Sequence, residues 1–278
     1  MFVPYPTCTS HPIITIMLSE QSTDPSLHLP RLLCFHGGGT NARIFHAQCR
    51  VLRAGLQGFF RLCFVEAPFP CQPGLDVTSV YSARGPYRRW LRFKREHPEI
   101  DAESAVRAID LAIQATVQED NQKGATGEWV GLLGFSQGAK LCASLLFRQQ
   151  VQESKLGKSS TPTQFRFAVL LAGRGPLVSL SPNLVMTPSL VDASHLGFQV
   201  RVDRTSREHV LRLPTVHVHG MQDEGLPLHQ QMLEQHFEKG RTRLVQWNGG
   251  HRVPVETKVV VAIVKEIVAV AKETGVTW

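Results

Sequence analysis

The 278-residue chain is 42% hydrophobic and 19% charged. That balance supplies enough apolar material for a sizeable core and excludes disorder over most of the length. The net charge of +7 favours an acidic partner, substrate or surface, or serves solubility alone.

Residues 1–30 are rich in Pro, Ser and Thr and read as an N-terminal extension, with a short edge strand at Ile13–Leu18. This stretch lacks the basic-then-apolar layout of a signal peptide. From residue 31 the chain alternates. Arg31–Phe35 is a strand ending in His36-Gly37-Gly38-Gly39, and a helical stretch follows near Ala42–Gly55. Arg61–Glu66 is a second strand, followed by the Pro-rich passage Ala67–Pro73. Helical spacing of Ala105, Ile109, Ala112, Ile113 and Thr116 predicts a helix over Glu103–Gln118. Trp129–Phe135 is a third strand and Gln137–Gln149 a third helix. After the polar linker Lys155–Thr163 come strands at Phe167–Leu171 and Pro214–His219. A helix near Leu228–Lys239, a strand at Thr242–Trp247 and a helix at Pro254–Lys272 complete the chain.

Near-continuous apolar strands alternating with helices predict a mostly parallel sheet covered on both faces, in one α/β domain over residues 31–278. Gly173–Leu213 is too long for a bare connection and is expected to cap or line a pocket. The longest apolar stretch, Val259–Ala271, is interrupted by Lys265 and Glu266, so no bilayer span is expected. The six cysteines (Cys8, Cys34, Cys49, Cys63, Cys71, Cys142) form no C-x-x-C pair and no zinc-ligand spacing. Most read as reduced core thiols. These features together indicate a soluble cytoplasmic protein.

Gly134-Phe135-Ser136-Gln137-Gly138 follows an apolar strand and opens a helix, the context a nucleophile elbow requires. The turn is so tight that the residues flanking the serine must be small, and the helix N-terminus behind it favours developing negative charge. A serine hydroxyl needs a base to take its proton, and the base needs an acid to fix its tautomer. In an α/β-hydrolase these follow in the order Ser, acid, His. Asp223 lies in a short turn after the strand Pro214–His219, and His251 lies in Gly249-Gly250-His251 after the next strand. All three therefore reach one edge of the sheet. Glu224 is a neighbouring rival acid, and Asp192 and Asp203 are remoter ones within the insertion. The oxyanion of a tetrahedral intermediate needs two donors. The backbone N–H of Gln137 is one candidate, and that of Gly38 the other, with Gly39 as its alternative.

Three competing readings explain less. Gly37-x-Gly39-x-x-Ala42 with Glu66 fits a dinucleotide fingerprint, but that leaves the elbow, the Asp223 turn and the Gly-Gly-His loop without a role. His217 and His219 share one side of a strand and lack a third ligand, so no metal site and no cofactor are expected. Gly157-Lys158-Ser159 lacks the upstream glycine of a P-loop. The segment Arg84–Arg95 is strongly basic, with Tyr87, Trp90 and Phe93 interleaved. It reads as an amphipathic lid helix with a solvated basic face, or as a landing surface for an acidic carrier protein. No nucleic-acid-binding module surrounds it.

Leu33–Asn41, Glu66–Pro70, the elbow with Ala139-Lys140, and Gly249–Pro254 together resemble the fungal serine hydrolase family, notably its members from polyketide biosynthesis of the lovastatin and citrinin type. The resemblance spans residues 31–272. It implies an α/β-hydrolase fold with Ser136, Asp223 and His251 as triad. It also implies an acyl ester or thioester substrate, such as a polyketide held on the acyl carrier domain of a synthase. The insertion Gly173–Leu213 is where family members are expected to differ in substrate.

Overall fold

The computed structural model describes Met1 and residues 24–157, 162–181, 189–196 and 209–278. The expected edge strand at Ile13–Leu18 and the rival acid Asp203 lie outside the described residues.

Among the described residues six strands form the central sheet, with two minor strand pairs besides. In chain order the strands are β1 (Arg31–Phe35), β2 (Arg61–Val65), β3 (Phe69–Pro70), β4 (Arg88–Arg89), β5 (Trp129–Phe135), β6 (Phe167–Leu171), β7 (Leu177–Ser179), β8 (Leu190–Asp192), β9 (Thr215–Gly220) and β10 (Thr242–Trp247). The helices are α1 (Ala42–Gln48), α2 (Arg50–Leu56), α3 (Leu75–Tyr81), α4 (Ala102–Gln122), α5 (Gln137–Leu156), α6 (Leu226–His236) and α7 (Thr257–Glu273). The central sheet runs β10-β9-β6-β5-β1-β2, and every neighbouring pair is parallel. Its strand order reverses between β1 and β5. At such a switch point the loops after two adjacent strands diverge to opposite faces and leave a crevice at their carboxyl ends.

The apolar composition of the strands follows from double coverage. On one face Leu33, Leu132, Ala168 and Leu170 pack with α4 and α5 through Ile109, Leu141 and Leu145. On the other, Leu32, Leu133, Val169 and Val216 pack with Phe45, Leu52, Val260, Ile263 and Ile267 from α1, α2 and α7. Alternate residues of β1, β5 and β6 thus enter two separate cores, which is why these strands read as unbroken apolar runs.

The long helical stretch Ala42–Gly55 is divided. Asn41 caps α1, its side chain accepting from the Ile44 N–H at 2.8 Å. Cys49 then leaves helical geometry (φ −80°, ψ 9°) and α2 starts at Arg50. The break lets α2 lie along α7, where Gly55 faces Val264. No helix among the described residues is long and apolar enough to cross a membrane. Cys34, Cys49, Cys63 and Cys142 are buried free thiols, and burial pushes all four up.

One buried charge cluster ties α4 to the sheet edge. Asp120 accepts from Arg61 Nε at 2.9 Å and Arg31 Nη1 at 3.3 Å. Burial alone would raise its carboxyl, but hydrogen bonds from the two guanidiniums outweigh it and hold the group below its ordinary value. A depressed carboxylate contributes stability that is complete above the unfolded-state pKa and lost as pH falls through the folded-state value. Denaturant titrations should therefore show stability declining below about pH 4. Asp120→Asn, which strands two guanidiniums, should cost about 3 kcal/mol at neutral pH.

Candidate active site

β5 delivers Ser136 to the sheet's carboxyl edge. Ser136 has φ 53° and ψ −112°, a left-handed conformation that costs a non-glycine residue energy and persists only where surrounding structure imposes it. Its N–H donates to the Leu171 carbonyl at 2.8 Å, which anchors the elbow to β6. The glycines are required by close approach. A Cβ on Gly138 would be driven into the Phe35 carbonyl, and one on Gly134 into the Gly138 carbonyl.

His251 and Asp223 arrive from the ends of β10 and β9. His251 Nε2 lies 2.9 Å from Ser136 Oγ, and His251 Nδ1 lies 2.6 Å from Asp223 Oδ2. The turns themselves are joined, since the Gln222 N–H donates to the Gly249 carbonyl at 3.0 Å. Asp223 is buried, and Gly225 N–H donates to its Oδ1 at 2.8 Å. Burial pushes its carboxyl up, but the Gly225 amide and the His251 ring prevail and keep it below the usual carboxylate range. Glu224 is exposed, and among the described residues no hydrogen bond or ion pair joins it to His251. Asp192 ends β8 and accepts from Ser194 instead. Of the candidate acids among the described residues, Asp223 alone meets the imidazole.

The glycine turn after β1 separates the two oxyanion candidates. The Gly39 N–H is committed to the Arg88 carbonyl at 2.9 Å. Gly38 borders Ser136 in both adjoining cavities, and its N–H meets no acceptor among the described residues. Gln137 is the first residue of α5, where a helix leaves the amide without an intrahelical partner. His36 is fully buried and holds this turn. Its Nε2 accepts from the Ala67 N–H at 3.1 Å, which leaves Nδ1 to donate toward the Gly37 carbonyl at 2.8 Å. Glu66, the acid of the dinucleotide reading, approaches His36 Nε2 at 3.3 Å.

Sequence reasoning missed three features. The Gln137 side chain accepts from the Trp90 N–H at 2.7 Å and donates to the Leu91 carbonyl at 3.1 Å. It thereby pins the 90–91 backbone over the site, a long-range pairing with no local signature. His229 of α6 is fully buried behind the acid, its Nε2 3.7 Å from Asp223 Oδ2. Burial pushes its pKa down to about 4, so it is neutral at physiological pH. Asp223, His229 and His251 offer atoms close enough together to hold a cation, although two of them are already engaged with each other. The third missed feature is the paired cations Lys140 and Arg174, which line a cavity beside Ser136.

The basic segment departs from the expected lid helix. Residues 82–84 form a short 3₁₀ turn, and β4 pairs antiparallel with β3. Arg89 is buried with its guanidinium over Phe69, and Arg88 Nη1 donates to the Pro68 carbonyl. Trp90 is fully buried, its indole donating to the His36 carbonyl at 2.9 Å. These side chains hold the glycine turn rather than forming a solvated face. Arg84, Lys94 and Arg95 remain exposed.

A parallel sheet with a strained serine at its switch point, in line with a histidine and a buried aspartate, defines a serine hydrolase of the α/β-hydrolase fold. Residues 26–263 match the serine hydrolase (FSH1) family. The esterase pigG of Monascus ruber is 56% identical over 265 residues, covering 93% of this chain and 97% of that protein. The probable esterase tazC of Aspergillus terreus is 54% identical, covering 92% and 97%. The esterase dbaE of Emericella nidulans is 50% identical, covering 93% and 96%. The chain belongs to the FSH1 serine hydrolase family.

Proposed function

We propose that the protein cleaves an acyl ester or thioester through a covalent acyl-enzyme on Ser136. The observation supporting this most directly is the unbroken hydrogen-bond line from Ser136 Oγ through His251 to Asp223. Ser136 Oγ attacks the carbonyl carbon as His251 Nε2 takes its proton. Asp223 accepts from Nδ1 and steadies the imidazolium. The Gly38 and Gln137 amides face the oxyanion, each such donor being worth about 3 kcal/mol in the transition state. Collapse of the intermediate passes the proton from Nε2 to the leaving oxygen or sulfur. Water then repeats the sequence and releases the acid.

Two cavities meet at Ser136. The larger, 740 Å³, is bordered by His251, Arg252, Arg50 and Lys94. A leaving group must lie within reach of His251 Nε2, so this cavity takes the alcohol or thiol portion. The smaller, 170 Å³, lacks His251 and takes the acyl portion.

The motifs shared with fungal polyketide hydrolases favour a polyketide acyl group released from a carrier domain. The exposed cations near the larger cavity suit an acidic carrier. The deciding experiment compares kcat/KM for acyl-carrier thioesters and matched oxygen esters. Preference for the carrier thioester is expected, and turnover of neither would refute the hydrolytic reading. Reversing Arg84 and Arg95 to Glu should lower kcat/KM for the carrier substrate at low salt and leave a small soluble ester unaffected. The defect should shrink at high salt, because steering is screened beyond about 8 Å at physiological ionic strength. An equal defect on both substrates would assign these residues a packing role.

A further inference from the structure

The smaller cavity has an unusual charge arrangement. Leu91, Phe93, Val178, Val191 and Leu228 give it apolar walls, and Lys140 and Arg174 supply two cations beside Ser136. Lys140 is partly buried in the first turn of α5, where the helix dipole already presents positive charge. Burial first, and Arg174 second, push its pKa down to about 8. Among the described residues its ammonium has no hydrogen-bond or ion-pair partner. A cation placed against a helix N-terminus, beside a second cation and partly withdrawn from water is disfavoured on each count.

Arg174 is only partly satisfied. It approaches Asp223 Oδ1 at 3.7 Å, an oxygen already bonded to the Gly225 N–H. Its Nε is buried without a partner. Two other charged groups line the cavity, and Arg92 Nε, like Arg174 Nε, is buried without a partner among the described residues. Arg92 pairs with Glu99 at 3.2 Å, and Asp192 accepts from Ser194 N at 2.7 Å.

We infer that this cavity selects acyl groups bearing an ionised acidic oxygen at their far end, with Lys140 and Arg174 as its counter-ions. An anion there relieves each of the unfavourable terms on Lys140 at once, and the apolar walls take the intervening carbons. The inference rests on the acyl-enzyme reading and names the substrate class that reading leaves open.

The test uses N-acetylcysteamine thioesters of C4–C8 dicarboxylic acids, each free at the distal carboxyl or capped there as its methyl ester. Wild-type protein should prefer the free acid at the best chain length by ten- to a hundredfold in kcat/KM, the range expected of a charge-assisted contact. Lys140→Met and Arg174→Met should each reduce that ratio about tenfold, and Lys140→Arg should retain it. Independently of turnover, Ser136→Ala protein should bind a monomethyl dicarboxylate more tightly than the dimethyl ester. The same protein carrying Lys140→Met should lose that difference. A ratio near one at every length, or one untouched by both Met substitutions, overturns the inference, as does equal binding of acid and ester. If capped thioesters turn over normally without acid preference, this inference alone falls. If no thioester turns over, the hydrolytic reading falls, and the binding comparison still decides whether the anion site exists.

Discussion

Ser136→Ala is expected to lower kcat by on the order of 10⁶ while leaving the fold intact. Among the described residues the hydroxyl's hydrogen-bond partner is His251 Nε2, and the elbow is held by backbone bonds that alanine keeps, including Ser136 N–H to Leu171 O. A fluorophosphonate should label Ser136 and no other serine, as read by peptide mapping. Substantial activity in the variant, or labelling elsewhere, would move the nucleophile. Because the left-handed conformation at Ser136 is strained, glycine at this position should also raise the melting temperature slightly relative to alanine.

Asp223→Asn should cost on the order of 10⁴ in kcat, since an amide no longer enforces Nδ1 protonation or balances the imidazolium. Substrate KM should change far less, because Asp223 lines neither cavity. Glu224→Gln should be nearly silent, its side chain being exposed. A reversal of the two results would make Glu224 the acid, and would require the turn after β9 to place residue 224 rather than 223 against His251. His229 supplies a control. As a neutral ring 3.7 Å from the same carboxylate, it contributes no hydrogen bond to the line, so its replacement by a residue of similar volume should leave most turnover in place.

The sequence by itself determined the sheet and the order of the site. β1, β5 and β6 fall where the apolar runs lie, because a strand buried on both faces must be apolar at consecutive positions. Ser136, Asp223 and His251 were legible for the same local reason: each follows a strand at its carboxyl end, and a parallel sheet brings all such ends to one edge. Glycines two positions either side of Ser136 and directly before His251 marked the tight turns.

What only the tertiary structure decided depends on contacts far apart in the chain. The sequence favours Gly38 and leaves Gly39 as an alternative, and the Arg88 carbonyl separates them by consuming the Gly39 N–H. The Arg84–Arg95 segment carries helix-like amphipathic composition, yet pairing of β4 with β3 and burial of Arg89 and Trp90 override it. The division of the first helical stretch at Cys49 follows from packing of α2 on α7, which no local breaker announces. Lys140 reads as an ordinary helical lysine until Arg174, thirty-four residues on by numbering, is seen lining the same cavity. Local periodicity encodes which face of an element is buried. It does not encode which partner buries it, and the charge balance beside Ser136 is a property of partners.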